Sequence, residues 1–268
     1  MATFTQTYPT DLKYTEWQLI SEFFPSATFG RPQKWEKWQI INGILYVNRS
    51  GCQWRMLPVN FPPWRTVYYY YWRWKGEGLW EQINGVLVKQ VRQKAGRNEQ
   101  PSAAVIDSQS VKTSEGGEER GVDVHKQTPG RKRHLIVDVL GLVLLVVVHS
   151  ASIQDGAGGL LTLQKLFERI KHSLYNHYCR LKLIWADGGY TAIVEKVHKQ
   201  FGWVLEIVKR SDDVKGFKVL PHRWVVERTF GWLGRYRRLA RDYEHTTSSS
   251  ESMVYIASIR RMLKSVAT

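Results

Sequence analysis

Apolar positions in the first ninety residues recur at helical spacing. Trp38, Ile41 and Leu45, with Trp35, Ile44 and Val47, fall three or four residues apart and predict a helix over 35–48. Thr15 marks the start of a short helix closed by Pro25, Pro62-Pro63 opens a helix over 64–75, and Leu79 to Lys94 gives another. After residue 102 the pattern changes. Short apolar runs at 103–106, 181–186 and 203–208 predict strands, and 133–137 with 142–149 predict a hairpin turned at Val139-Leu140-Gly141. Helices are expected over 155–172, 191–201, 222–241 and 251–266, with Asp155 as a cap and Pro221 as an opener. The Gly-rich charged stretch 112–130 is expected to be a loop. The stretch Lys94 to Ser102 has no apolar period. The chain therefore divides into an all-helical domain (1–95), a linker (96–102) and a mixed α/β domain (103–268).

Charge sharpens this picture. Among 268 residues, 39 Lys and Arg oppose 24 Asp and Glu, a net charge of +15. The excess lies in both halves, so the whole chain leans towards a polyanion. Two cysteines, Cys52 and Cys179, exclude a disulfide framework and a Cys-based zinc module. His172, His177 and Cys179 match no common zinc spacing. The longest apolar run, Val139 to Val148, is ten residues with Gly141 inside it, whereas a membrane span needs ~20. The polar start lacks a signal-peptide core. A soluble, intracellular protein with no membrane partner is expected.

Three carboxylates stand out by position. Asp107 and Asp187 each follow an apolar strand, so both emerge at the edge of a core. Asp is common where strands stop, but ligand and catalytic groups on α/β sheets also gather there. Glu227 lies on the polar arc of the helix predicted over 222–241, among Arg223, Arg228, Arg235, Arg237, Arg238 and Arg241, with Gly231 and Gly234 on the same low-profile face. A solvated face with an Arg223–Glu227 pair is the plain alternative. The positive excess and the small glycines suit a phosphate backbone pressed against a metal site. Hard cations such as Mg²⁺ take oxygen ligands, and two of them can activate an attacking oxygen and stabilise a leaving one.

These residues carry a resemblance. The stretches Gly51-Cys52-Gln53-Trp54-Arg55-Met56-Leu57-Pro58, Val105-Ile106-Asp107-Ser108-Gln109-Ser110-Val111-Lys112, Gly130-Arg131-Lys132-Arg133-His134 and Ala186-Asp187-Gly188-Gly189-Tyr190, with Arg223 to Arg238 around Glu227, resemble bacterial insertion-sequence transposases of the DDE class, in the branch called insertion-sequence family five. The match spans nearly the whole chain, with 79 residues between Asp107 and Asp187 and 39 between Asp187 and Glu227.

The resemblance implies an RNase H-like catalytic core, a mixed sheet flanked by helices, behind an N-terminal helical, helix-turn-helix-like DNA-binding region. It implies that Asp107, Asp187 and Glu227 bind two Mg²⁺, with Mn²⁺ as a substitute. It implies double-stranded DNA partners (terminal inverted repeats and target), a homodimer on two ends and a bacterial, nucleoid-associated setting. Relatives carry a Tyr seven before the Glu, an Arg four before and a Lys seven after. Here those positions hold Leu220, Arg223 and Gly234, with Arg235 adjacent.

Two further stretches are candidate DNA contacts. Residues 64–74 hold seven aromatics flanked by Arg65, Arg73 and Lys75, which means a buried helix or one that partly reads DNA. The expected loop Gly130 to His134 offers Arg131, Lys132 and Arg133 to phosphate, beside Arg228, Arg235 and Arg238 of the Glu227 helix. The expected function is a transposase. A DNA-binding regulator without catalysis and a structure-specific nuclease on the same fold are the alternatives.

Overall fold

The computed structural model describes residues 4–25, 33–114, 116–172, 178–208 and 223–267. Four helices come first: α1 (Tyr14–Gln18), α2 (Lys37–Ser50), α3 (Trp64–Gly76) and α4 (Leu79–Lys94). Strands β1 (Ala103–Lys112), β2 (Gly121–Asp123), β3 (Thr128–Asp138) and β4 (Val143–Ser150) follow, then α5 (Asp155–His172), β5 (Leu183–Ala186), α6 (Val194–Phe201) and β6 (Val204–Ile207). Three helices end the order: α7 (Trp224–Gly234), α8 (Arg237–Ala240) and α9 (Thr247–Ala267).

The sheet is mixed. β1 pairs antiparallel with β3 and parallel with β5, and β5 pairs parallel with β6. β2 and β4 follow one another along the outer edge of β3. An antiparallel meander thus joins a parallel pair through β1, with helices around it. That strand order is RNase H-like.

Packing is continuous across residues 96–102. One apolar core includes Ile44 and Ile83 from the helices, Ile106 and Val146 from the sheet, and Val254 and Ile259 from α9. α9 packs against both β4 and α4, which explains why it is buried on nearly every side. Buried amides stitch the regions together: Asn84 donates to the Val143 carbonyl (2.7 Å) and Asn48 to that of Met253 (3.0 Å). Gly51, at φ 73°, closes α2 against α8. A Cβ there would lie 2.9 Å from Cβ of Arg237, so only glycine fits without a shift.

Several expected elements differ. The helix expected from Thr15 to Phe24 divides into α1 and a single 3₁₀ turn, and Lys13 rather than Thr15 precedes it. β1 runs on to Lys112, so Asp107 lies within the strand and not at its end. The expected loop 112–130 contains β2, because Asp123 is anchored by Ser110 and Lys132. The helix expected over 222–241 is broken: Tyr236 is extended (φ −92°, ψ 112°) between α7 and α8. Gly231 and Gly234 weaken helix propensity there, and the break lets Leu239 turn into the core. α9 begins before Ser248-Ser249-Ser250, so that polar run forms a first turn. Leu220, Pro221, His222 and His177 lie outside the described residues.

Candidate active site: three carboxylates around one guanidinium

Strand register brings the first two acids together. β1 and β5 pair in parallel through Val105 and Trp185, and continuing that register by two residues sets Asp107 level with Asp187. Adjacent strands lie ~4.8 Å apart, so the carboxylates are neighbours. Each gives one oxygen to backbone. Asp107 Oδ1 accepts from the Ser108 N–H (2.7 Å), and Asp187 Oδ1 accepts from the Gly189 N–H (2.9 Å) as it caps a 3₁₀ turn. The second oxygens share one target. Arg223 Nη2 lies 3.9 Å from Asp107 Oδ2, 3.7 Å from Asp187 Oδ2 and 3.5 Å from Glu227 Oε1. Arg223 immediately precedes α7 and Glu227 sits one turn along it. Three segments distant in sequence thus meet at one nitrogen.

Electrostatics follow from this crowding. Burial pushes the Asp107 carboxyl up to about 6, and the negative charge of Asp187 adds to the shift. The Ser108 N–H, Arg223 and Lys126 oppose it. Tyr190 is buried beside the cluster. Burial holds its phenol protonated, and Asp107, Asp155 and Asp187 reinforce this.

A second network lies behind Asp107, and the sequence did not reveal it. Ser108 points to the opposite side of β1 and donates to Asp155 Oδ1 (2.7 Å), the first residue of α5. Lys132 Nζ lies 2.9 Å from the same oxygen and 3.4 Å from Asp123 Oδ2, and donates to the Ile153 carbonyl. The start of α5 then packs on the turn after Asp187: a Cβ on Gly159 would lie 2.4 Å from the Tyr190 ring. The glycines of Asp155-Gly156-Ala157-Gly158-Gly159 were the only available signal, since they permit that close approach.

The other expected contacts divide sharply. Arg131, Lys132 and Arg133 are not in a loop; they lie in β3 and are buried. Arg131 donates to the carbonyls of Glu118, Glu244 and His245 and pairs with Asp242. Arg133 donates to the Leu239 carbonyl. Their cations are committed inside the fold, which corrects the expectation of phosphate contact. Arg238 is also buried, held by Glu244 at 2.6 Å, because the break after α7 rotates it away from Glu227. Arg228 lies between Trp224 and Trp232 and donates to the Leu140 carbonyl. Arg235 is exposed. Arg65 and Arg73 are exposed on α3 with Tyr68, Tyr69 and Trp72, whereas Tyr71 and Trp74 are buried. Residues 65, 68, 69, 72 and 73 share one helix face, so the aromatic run both packs and presents a basic aromatic surface.

The donor set suits a hard divalent cation, since the converging groups are all carboxylates. As they stand, the oxygens surround Arg223, and among the described residues no three His, Cys, Asp or Glu side chains are close enough to hold one ion. The guanidinium stands where cationic charge is needed.

Asp107 on β1, Asp187 just after β5 and Glu227 on α7 thus meet at one edge of an RNase H-like sheet. The chain belongs to the transposase DDE domain family, whose model matches residues 98–260. Residues 12–84 match the model described as a putative transposase of the IS4/5 family. Among curated proteins, the chain is 28% identical over 116 residues to a putative transposase for insertion sequence element IS402 from Burkholderia cepacia, covering 43% of this chain and 54% of that protein. It is 30% identical over 80 residues to the uncharacterized protein y4sN of Sinorhizobium fredii (strain NBRC 101917 / NGR234), covering 30% of this chain and 64% of that one. The chain thus spans less than two thirds of either relative. A crystal structure of a pre-cleavage Mos1 transpososome aligns over 90% of this chain and 80% of its own at 12% identity and a TM-score of 0.29, below the level that establishes a shared fold. DDE transposases generally use divalent metals. No helix among the described residues is long and apolar enough to cross a membrane.

Proposed function

We propose that the protein is a DNA transposase that binds the terminal inverted repeats of its element, hydrolyses phosphodiester bonds at the ends and joins the freed 3′-hydroxyls to target DNA. The observation that carries this reading is the convergence of Asp107, Asp187 and Glu227 on a single nitrogen. Asp107 and Asp187 would hold the two Mg²⁺ and Glu227 would complete the second site, with Mn²⁺ as a substitute. When bound, such ions supply an activated attacking oxygen and charge stabilisation of the leaving one.

The chain's own residues set the geometry. The backbone N–H groups of Ser108 and Gly189 fix one oxygen of each aspartate, which aims the other at the shared point. Arg223 balances the three carboxylates and orients a phosphate that enters among them. Both reactions are in-line phosphoryl transfers, so one carboxylate site serves both. The exposed Arg65–Tyr69–Arg73 face of α3 suits end recognition, within a helical DNA-binding region over 1–95 ahead of the catalytic region 103–268. Two ends call for two copies, hence a homodimer on DNA.

The test uses one labelled repeat end, assayed for gel-shift binding, nicking and strand transfer with Mg²⁺. Wild type is expected to do all three. Glu227→Gln is expected to bind at least as tightly but neither nick nor join. Binding with nicking but no joining would point instead to a nuclease. Binding without nicking in the wild type would point to a regulator.

A further inference from the structure

A cleft of about 350 Å³ lies where the end of α2, the α7–α8 junction and the last turns of α9 meet. Five cations line it: Arg49, Arg235, Arg260, Arg261 and Lys264. No Asp or Glu is among its described lining residues. Two of the four guanidinium groups are held by neutral partners. Arg49 donates to the Arg235 carbonyl (2.7 Å) and lies over the Tyr236 ring, and Arg261 lies 3.2 Å from the Trp232 ring centroid. Arg260 pairs with a carboxylate outside the lining, Glu16, at 2.7 Å.

Such crowding works against the fold. Burial and the neighbouring Arg228 push Arg261 down to about 10. Burial, with Arg260, Arg49 and Lys13 nearby, also lowers Lys264, and Glu16 only partly offsets this. Like charges held together in a concave, partly desolvated site focus a positive potential, and an anion would relieve it. The acidic site is close by. Arg235 follows Glu227 by eight residues, roughly 12 Å along a helix axis, or about three to four nucleotides at the rise of one DNA strand. That span is well under one turn of a duplex.

We propose that this cleft, built jointly by the N-terminal helices and α7–α9, binds the sugar-phosphate backbone of duplex DNA. The choice of DNA rests on the transposase reading above, while the cleft's taste for phosphate rests on its own residues.

The test is fluorescence anisotropy of a labelled duplex of several turns, without divalent cation, in an Asp187→Asn background, over a range of salt. Binding is then read apart from catalysis, and a failure of the carboxylate reading leaves the result intact. Arg235→Glu with Lys264→Glu is compared with Lys196→Glu with Lys199→Glu, which makes the same charge change on exposed positions of α6. Loss of two phosphate contacts is expected to weaken binding at least tenfold and flatten the slope of log K against log salt by about 1.8, with little change for the α6 pair. Equal losses in the two pairs, or an unchanged slope in the cleft pair, would overturn the proposal. If the charge-reversed cleft variant fails to fold, Arg235→Gln with Lys264→Gln carries the test with the same expected change in slope.

Discussion

The carboxylate cluster and the basic run of β3 are neighbours on one sheet, yet they use charge in opposite ways. Asp107, Asp187 and Glu227 crowd like charges beside solvent, balanced mainly by Arg223. Arg131 and Arg133 hide their charges completely and spend them on carbonyls of the chain leading into α9 and of α8. The first arrangement is poor for stability and suited to chemistry. The second is good for stability and closed to a ligand. Charge in a sequence therefore says little about role until its partners are known.

The largest effects should separate these two regions. Arg131→Ala leaves the buried Asp242 without its counter-cation and removes the donor to the carbonyls of Glu118, Glu244 and His245, and is expected to cost about 3–5 kcal/mol, read as a fall in the urea midpoint. Glu227→Gln, on a half-exposed side chain, is expected to change stability by no more than about 0.5 kcal/mol while abolishing cleavage. Comparable stability losses in the two variants would erase the distinction.

A smaller effect is expected at Asp155, where the regions touch. Asp155→Asn removes the charge that holds Lys132 and Ser108 behind Asp107. Groups that orient metal ligands typically contribute 10- to 100-fold, so cleavage should fall by about that factor and need more divalent cation for half-maximal rate. A loss as complete as that of Asp107→Asn would make Asp155 a member of the site itself.

The smallest effect is in the pH dependence of stability, where the regions should have opposite slopes. Asp107 favours its protonated form in the fold, so its contribution is present below pH about 4 and lost as pH rises through about 6. His134 is the reverse: burial, followed by the neighbouring His149, pushes it down to about 3. Its contribution is present above pH 6.5 and lost as pH falls towards about 3. Urea midpoints across this range should lose the falling limb in Asp107→Asn and the rising limb in His134→Gln. Profiles parallel to wild type in both variants would refute both burial arguments.

Much of this was legible in the sequence, for physical reasons. Asp107 and Asp187 follow apolar runs whose period marks strands, and α4 and α5 end where their apolar pattern ends. Glu227 stood out as one acid among arginines. The basic run Arg131-Lys132-Arg133-His134 was not legible as a strand, because burial of consecutive cations depends on carbonyls about a hundred residues away. Arg238 was misplaced for a related reason. A helical wheel assumes an unbroken helix, and the break at Tyr236 depends on tertiary packing. The Ser108–Asp155–Lys132 network joins three elements by single bonds and leaves no periodic trace.

The central claim is that three carboxylates act as one centre. Its most direct test measures residual cleavage of a labelled repeat end by Asp107→Asn, Asp187→Asn, Glu227→Gln and the triple variant at saturating Mg²⁺. Groups that act as a unit are strongly non-additive, so each single variant is expected to fall to the same floor as the triple. Losses that multiply from one substitution to the next, or a single variant that still cleaves at the wild-type rate, would contradict it.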